Sequence, residues 1–279
     1  MMWTVCAKKV TELGGQIIMG AQVTGCAYNC KDQQWEVTFK NTKSGATEKI
    51  QSTEIISSAA IRELIPMLSP ALSSETSQAG AALKYRDFIV VMLILKDKNR
   101  FSDNWIYIHE PNVKVGRIQN FKSWSPEMVP DPSYCSYGLE YFCTEGDLLW
   151  ESSDESLLEL AKVEFEKVGL GLASEVLDGC VVRQPKAYPV YDDDYATNVD
   201  IIRSELNRQH PTLHLVGRNG MHKYNNQDHA MMTAMLTVEN IIQGKPTFDV
   251  WQVNQDAEYH ESGTSGHSGL RQVPRPVGA

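Results

Sequence analysis

The stretch 213–242, LHLVGRNGMHKYNNQDHAMMTAMLTVENII, constrains the fold more than any other part of the chain. Leu213 to Val216 read as a short apolar strand, which breaks at Gly217-Arg218-Asn219-Gly220. A polar loop follows, and then Met231, Met235 and Val238 recur at near-helical spacing, continued by Ile241 and Ile242. Two glycines after a strand let backbone pass close to a ligand without a side-chain clash. Arg218 between them supplies a planar cation matched to phosphate oxygens. Asn226-Gln227-Asp228 places cap-type residues where the helix should begin, and a helix start offers N–H groups and partial positive charge. The pattern suits an anion-binding turn, and it equally suits an ordinary strand–turn–helix with a surface arginine.

At 279 residues the chain can enclose one large core or two modest ones. Its 42% apolar and 22% charged content is that of a soluble globular protein. A net charge of −9 argues against a nucleic-acid surface, yet leaves room for a local basic pocket holding one anionic small molecule. The longest apolar run, FIVVMLIL at 88–95, is strand-sized, so no membrane span is expected. MMWTVCAKKV lacks the apolar core of a signal peptide. The six cysteines form no C-x-x-C pair and read as reduced thiols of a cytoplasmic protein.

Taken in order, residues 2–13 predict a helix ended by Gly14-Gly15. Strands are expected at 16–19, 23–28, 35–40 and 49–57, a helix feeding an antiparallel meander. Nothing in the sequence gives that helix or the first strands something to pack on. Residues 57–70 read as a strand end running into a short helix broken by Pro66, and the Ser/Ala/Gly-rich 69–80 as a crossing between subdomains. Further strands are expected at 85–95, 105–109, 115–121, 137–143 and 181–183, with a covering helix at 154–168. A helix near 194–206 leads back to the stretch 213–242. Past Asn254 the composition turns to Gly, Ser, His and Pro, which predicts a disordered tail over 254–279.

At this point the sequence resembles the second half of the flavin-dependent amine-oxidase superfamily, and within it UDP-galactopyranose mutase and mutase-like FAD-dependent oxidoreductases. The resemblance runs from about Trp3 to Trp251. It is carried by ELGGQIIMGAQVTGC with EIISSAAIREL, by VGRIQNFKSWSP, and most closely by AYPVYDDDY with GRNGMHKYNNQDHAMM. The resemblance implies an α+β chain: a partial FAD-binding domain (helix, β-meander and closing strand–helix) at 1–75 and 186–253, with an inserted antiparallel-sheet substrate domain at 76–185. It implies that Gly217 and Arg218 line the FAD pyrophosphate and that Asn226 and Gln227 sit at the isoalloxazine. Arg117, Tyr188 and Tyr224 match positions that hold the substrate diphosphate in mutases, for which an arginine fork and tyrosine hydroxyls are suitable donors.

One departure is large. The superfamily's Gly-x-Gly-x-x-Gly turn, which cradles the ADP half of FAD, has no counterpart. Gly169-Leu170-Gly171 is the nearest string, with no strand before it and no third glycine. The resemblance therefore implies the C-terminal part of a longer flavoenzyme, with an N-terminal Rossmann half supplied from elsewhere and the chain alone inactive. Three functions follow: an FAD-dependent oxidoreductase acting on a small molecule, a mutase-like enzyme isomerising a UDP-sugar without net redox change, and a non-catalytic binding module that needs a partner chain.

The remaining signals have plainer readings. His222 and His229 lie seven apart with no acidic or cysteine partner at ligand spacing, so no metal site is expected. His229 reads as a packing residue or a flavin neighbour. Asp192-Asp193-Asp194 reads as a solvated helix start, Met231-Met232 as core filling, and Trp105, Trp124 and Trp150 as core anchors.

Overall fold

The computed structural model describes residues 2–254, so the tail expected over 254–279 lies, past its first residue, outside the described residues. The chain divides into two compact units. One joins the residues up to Leu83 with those from Asp192 onward, and the other is Lys84–Tyr191.

The first unit opens with α1 (Met2–Glu12), which ends where Gly14 takes φ +88°. No residue of α1 is buried. The strands β1 (Ala21–Asn29), β2 (Gln34–Asn41) and β3 (Thr47–Ser52) form the expected antiparallel meander, with Trp35 and Phe39 of β2 enclosed. The strand expected at 16–19 does not form; those residues are exposed and pair with nothing in the sheet. The strand expected at 49–57 is two strands. β3 stops at Ser52, and β4 (Ile55–Ser57) leaves the meander for another sheet. The short helix is α2 (Ile61–Leu64), converted by Pro66 into a 3₁₀ turn at Ile65–Met67. After it, β5 (Leu68–Ser69) joins β1 in parallel.

Residues expected as a crossing form a helix, α3 (Ser74–Ala82). Ser73 caps it by accepting the Thr76 amide at 3.2 Å, and Glu205 in turn accepts the Ser73 amide at 3.0 Å and hydroxyl at 2.5 Å. The small residues that suggested a linker make a packing face instead. A Cβ at Gly80 would stand 2.4 Å from Ile65 Cδ1.

The second unit is built on the strands β6 (Tyr85–Lys96), β7 (Trp105–Tyr107) and β8 (Arg117–Asn120), the single helical turn α4 (Phe121–Trp124), the strand β9 (Tyr134–Cys143), the helix α5 (Asp154–Lys167) and the strand β10 (Val176–Pro189). The sheet is antiparallel in the order β10-β6-β9-β8-β7. Alternation along the strands sorts the side chains. Ile89, Val91, Leu93 and Leu95, with Tyr141, Leu139, Tyr137 and Ile118, form a core with Leu157, Ala161 and Phe165 of α5. The paired residues Phe88 and Phe142, Val90 and Glu140, Arg117 and Glu140, and Gln119 and Gly138 lie on the opposite face.

The chain re-enters the first unit through α6 (Tyr195–Gln209) and β11 (Leu213–Leu215), followed by a helical turn, α7 (Gly217–Gly220), and α8 (Gln227–Gln243). β11 pairs in parallel with β4, Leu213 opposite Ile55 and Leu215 opposite Ser57, and the two make a sheet of their own. Ile61, Leu64, Leu83, Ile202, Leu206, Leu213 and Met221 fill this unit's core. The helix predicted from the Met231, Met235, Val238 period is present, but its buried residues are Thr233, Leu236 and Thr237. The apolar period is on the exposed side, so Met231 is not core filling. No helix among the described residues is long and apolar enough to cross a membrane.

Candidate functional site

In the first unit, β11 delivers the chain into a turn held from several directions. Gly217 is buried with φ +76°, a conformation that side-chain-bearing residues rarely adopt. Its amide donates to Thr233 Oγ1 on α8 at 3.0 Å, and its carbonyl accepts from Asn225 Nδ2 at 3.2 Å. Gly220 has a different role from the one its spacing suggested. A Cβ there would lie 2.6 Å from the Ser57 carbonyl oxygen and 3.2 Å from Ser58 Cα, so the glycine admits the chain's own β4 end.

Arg218 holds the loop that follows it. Its Nε donates to the Asn225 carbonyl at 2.8 Å, Nη2 to Asn226 Oδ1 at 3.4 Å, and its guanidinium lies 4.9 Å from the centre of the Tyr224 ring. Asn226 is the N-cap of α8, and its amide donates to His229 Nδ1 at 3.2 Å. His229 therefore serves the cap. Gln227, the first residue of α8, is exposed. The sequence-predicted Gly217, Arg218, Asn226 and Gln227 thus meet at one bend together with Tyr224. Asn225 and Thr233, which fix the bend, carried no signal in the sequence beyond their polarity.

Arg117 and Tyr188 come together in the second unit, on the sheet face away from α5. Arg117 stands on β8 directly opposite Glu140 on β9. Its Nε donates to Glu140 Oε2 at 2.8 Å, its Nη2 lies 2.6 Å from the same oxygen, and Nη2 also donates to the Tyr188 hydroxyl at 3.3 Å. Glu140 Oε1 is held by the Gln119 amide, and Gln119 Oε1 accepts the Trp124 indole N–H at 3.0 Å. Burial acts to lower the Arg117 pKa, but the Glu140 charge and hydrogen bonds more than offset it and leave it raised.

Tyr188 follows an irregularity in the β10–β6 register between Gln184 and Tyr188. Buried Asp87 accepts the Lys186 amide there at 2.6 Å, and Lys186 has φ +53°. The Tyr188 ring centre lies 6.0 Å from that of Phe88 and 6.2 Å from that of Phe142. Trp105 and Trp124 stack at 5.0 Å, and Trp124 is half exposed, so it is a surface ring and no core anchor. Tyr224, which the resemblance grouped with Arg117 and Tyr188, belongs to the other unit, beside Arg218.

Glu140 was absent from the sequence-derived site. Its signal was available: one carboxylate inside the otherwise uncharged strand YCSYGLEYFC must find a charged or donor partner if the strand is buried.

No protein-family model matches the chain, and no match was found among curated proteins. Solved structures do match. A reduced UDP-galactopyranose mutase superposes with a TM-score of 0.74 at 18% identity, over 91% of this chain and 53% of that one. A provisionally named protoporphyrinogen oxidase from Exiguobacterium sp. 255-15 gives 0.60 at 15% identity, over 80% and 47%. A putrescine oxidase double mutant redesigned in cofactor binding gives 0.60 at 12%, over 87% and 53%. The chain shares the fold of these three proteins. The chain spans about half the length of these three proteins of that fold. At such identities the likeness concerns fold alone, and function is argued from the residues.

Proposed function

We propose that the chain is the C-terminal part of an FAD-dependent oxidoreductase, acting once a Rossmann half from outside the described residues completes it. The observation that carries this reading is the β4–β11 pair. Parallel strands are found covered on both faces within larger sheets, and a sheet of two strands is marginal by itself. Here two three-residue strands in parallel form a sheet of their own. The exposed apolar side chains Met231, Met235, Val238 and Ile242 on α8, and Met2, Trp3, Val5 and Val10 on α1, call for the same completion.

The residues at the Gly217 bend suit FAD. Gly217 brings backbone without a side chain, Arg218 adds a full positive charge, and the first turn of α8 offers N–H groups beside the exposed Gln227. In this reading Gly217 and Arg218 stand at the pyrophosphate, and Asn226 and Gln227 at the isoalloxazine. FAD supplies the hydride acceptor when bound. The chain's own part at the Gly217 bend is to orient the ring from the α8 start, and within the Lys84–Tyr191 unit the Arg117–Tyr188 pair offers donors for a substrate's polar group. The partial positive charge of the helix start favours extra negative charge on the ring.

The second reading, isomerisation of a UDP-sugar, draws on the mutase fold and on an arginine beside a tyrosine hydroxyl. Incubating the complete protein, its flavin reduced, with UDP-galactopyranose separates the two. The oxidoreductase reading expects no change in sugar ring size. Accumulation of the furanose form overturns it in favour of the mutase.

A further inference from the structure

We infer that Glu140 makes Arg117 a hydrogen-bond donor for an uncharged polar substrate group and prevents it from serving as a phosphate clamp. The inference rests on reading the open face of the Lys84–Tyr191 sheet as the substrate side. It runs against the diphosphate role that the resemblance implies for Arg117.

Two of the guanidinium nitrogens already sit on Glu140 Oε2, at 2.8 and 2.6 Å. Only 1% of the Glu140 side chain is exposed, so water does little to screen its charge. A phosphate approaching Arg117 meets the cation and, one ion-pair length behind it, a carboxylate of equal and opposite charge. Most of the attraction that a lone arginine offers is cancelled, while the directional N–H groups remain.

The carboxylate is held at its other oxygen as well. Gln119 holds Oε1, and Gln119 is itself fixed by the indole of Trp124, which stacks on Trp105. Tyr188 takes a further Arg117 N–H, and the Tyr107 ring centre lies 5.8 Å from the guanidinium carbon. The surroundings are aromatic: Phe88, Phe142, Tyr107 and Tyr188. Of the cations of β6, Arg86 is exposed and lies across the strands from Tyr188, one residue pair beyond Phe88, while Lys96 at the far end lies over the Tyr134 ring. A ligand group that accepts hydrogen bonds through a hydroxyl, ether or carbonyl oxygen and lies against rings fits this face. A diphosphate does not.

The test is calorimetric titration of the full chain with inorganic pyrophosphate. Glu140→Gln keeps the shape and removes the charge; with its one carbonyl oxygen on Gln119 Nε2 it turns an NH2 toward Arg117, which then loses both its counter-ion and its acceptor. It is expected to bind pyrophosphate at least about tenfold more tightly than wild type, the effect of one uncompensated charge in a half-buried setting. The gain is expected to vanish in the double variant Glu140→Gln with Arg117→Gln. A folded Glu140→Gln chain that binds no more tightly than wild type overturns the inference. Should that variant not fold, Arg117→Gln alone decides: unchanged pyrophosphate affinity supports the inference, and a loss of several-fold overturns it. All titrations are made in an Arg218→Ala background without flavin, which removes the cation of the Gly217 bend from the readout and keeps the outcome distinct from that of the FAD assignment.

Discussion

In the unit Lys84–Tyr191, Ile89, Val91, Leu93 and Leu95 of β6 are fully enclosed between their sheet and α5, while in the other unit Met235 and Ile242 of α8 are 60% and 74% exposed. The first set belongs to a continuous apolar run, 88–95, of which the sheet encloses every second side chain, and the second to an apolar spacing near 3.6. The difference lies in what the chain itself provides. The antiparallel sheet has its own covering helix, whereas α1 buries nothing and β4 and β11 pair only with each other. One unit covers its sheet with its own helix, and the other, beside its own core, presents exposed apolar faces and an isolated parallel strand pair, which the proposed function assigns to a missing half.

The largest effect that tests this contrast is expected in the closed unit. Leu93→Ala removes a side chain with no exposure and should cost about 2–5 kcal/mol of stability in denaturant unfolding. A cost near zero would mean that this core is looser than its packing indicates.

A smaller effect is expected in the meander of the other unit, where Tyr28, Trp35 and His210 form a ring cluster with centres 4.9–6.0 Å apart. Burial lowers the His210 pKa from the ordinary 6.5. The unfolded chain therefore takes up a proton near 6.5 that the folded chain resists. Stability should be full above that pH and decline as the pH falls below it. His210→Gln is expected to lose less melting temperature between neutral and mildly acid pH than wild type does. Parallel losses in the two proteins would remove His210 from the account.

The smallest effect on the chain alone is expected at the open face. Met235→Lys should change its stability by no more than about 0.5 kcal/mol, as at ordinary surface positions. In the completed protein the same change should weaken assembly with the Rossmann half in gel filtration. A large destabilisation of the chain alone would show that α8 already packs this face internally.

The sequence showed periods well and partners poorly. β6 was legible as an apolar run of strand length, and α5 and α8 by helical spacing, because both signals depend on local sequence alone. The direction in which α8 faces was not legible, since its buried side includes Thr233 and Thr237, and Thr233 accepts the Gly217 amide of a turn 16 residues earlier. α3 was hidden because Ser, Ala and Gly serve a linker and a close helix contact equally well, and only Ile65 beside Gly80 distinguishes them. β4 was merged with β3 because pairing with a strand more than 150 residues away leaves no mark in the local pattern. The Gly217 bend was foreseen as a cluster of residues, but Arg218 proves to bind its own loop at Asn225 and Asn226. Glu140 stood out as the one charge of its strand, but the identity of its partner, Arg117 on the neighbouring strand, was not legible.

The central claim, that the Gly217 bend holds FAD only when a Rossmann half is joined to it, is tested most directly by flavin retention. The full chain is passed over a desalting column after incubation with FAD, alone and after co-expression with a polypeptide carrying the Gly-x-Gly-x-x-Gly half. The account predicts a colourless chain alone and stoichiometric flavin in the complex, reduced when Arg218 is changed to Ala. Stoichiometric flavin on the chain alone, or retention in the complex that ignores Arg218, would contradict it.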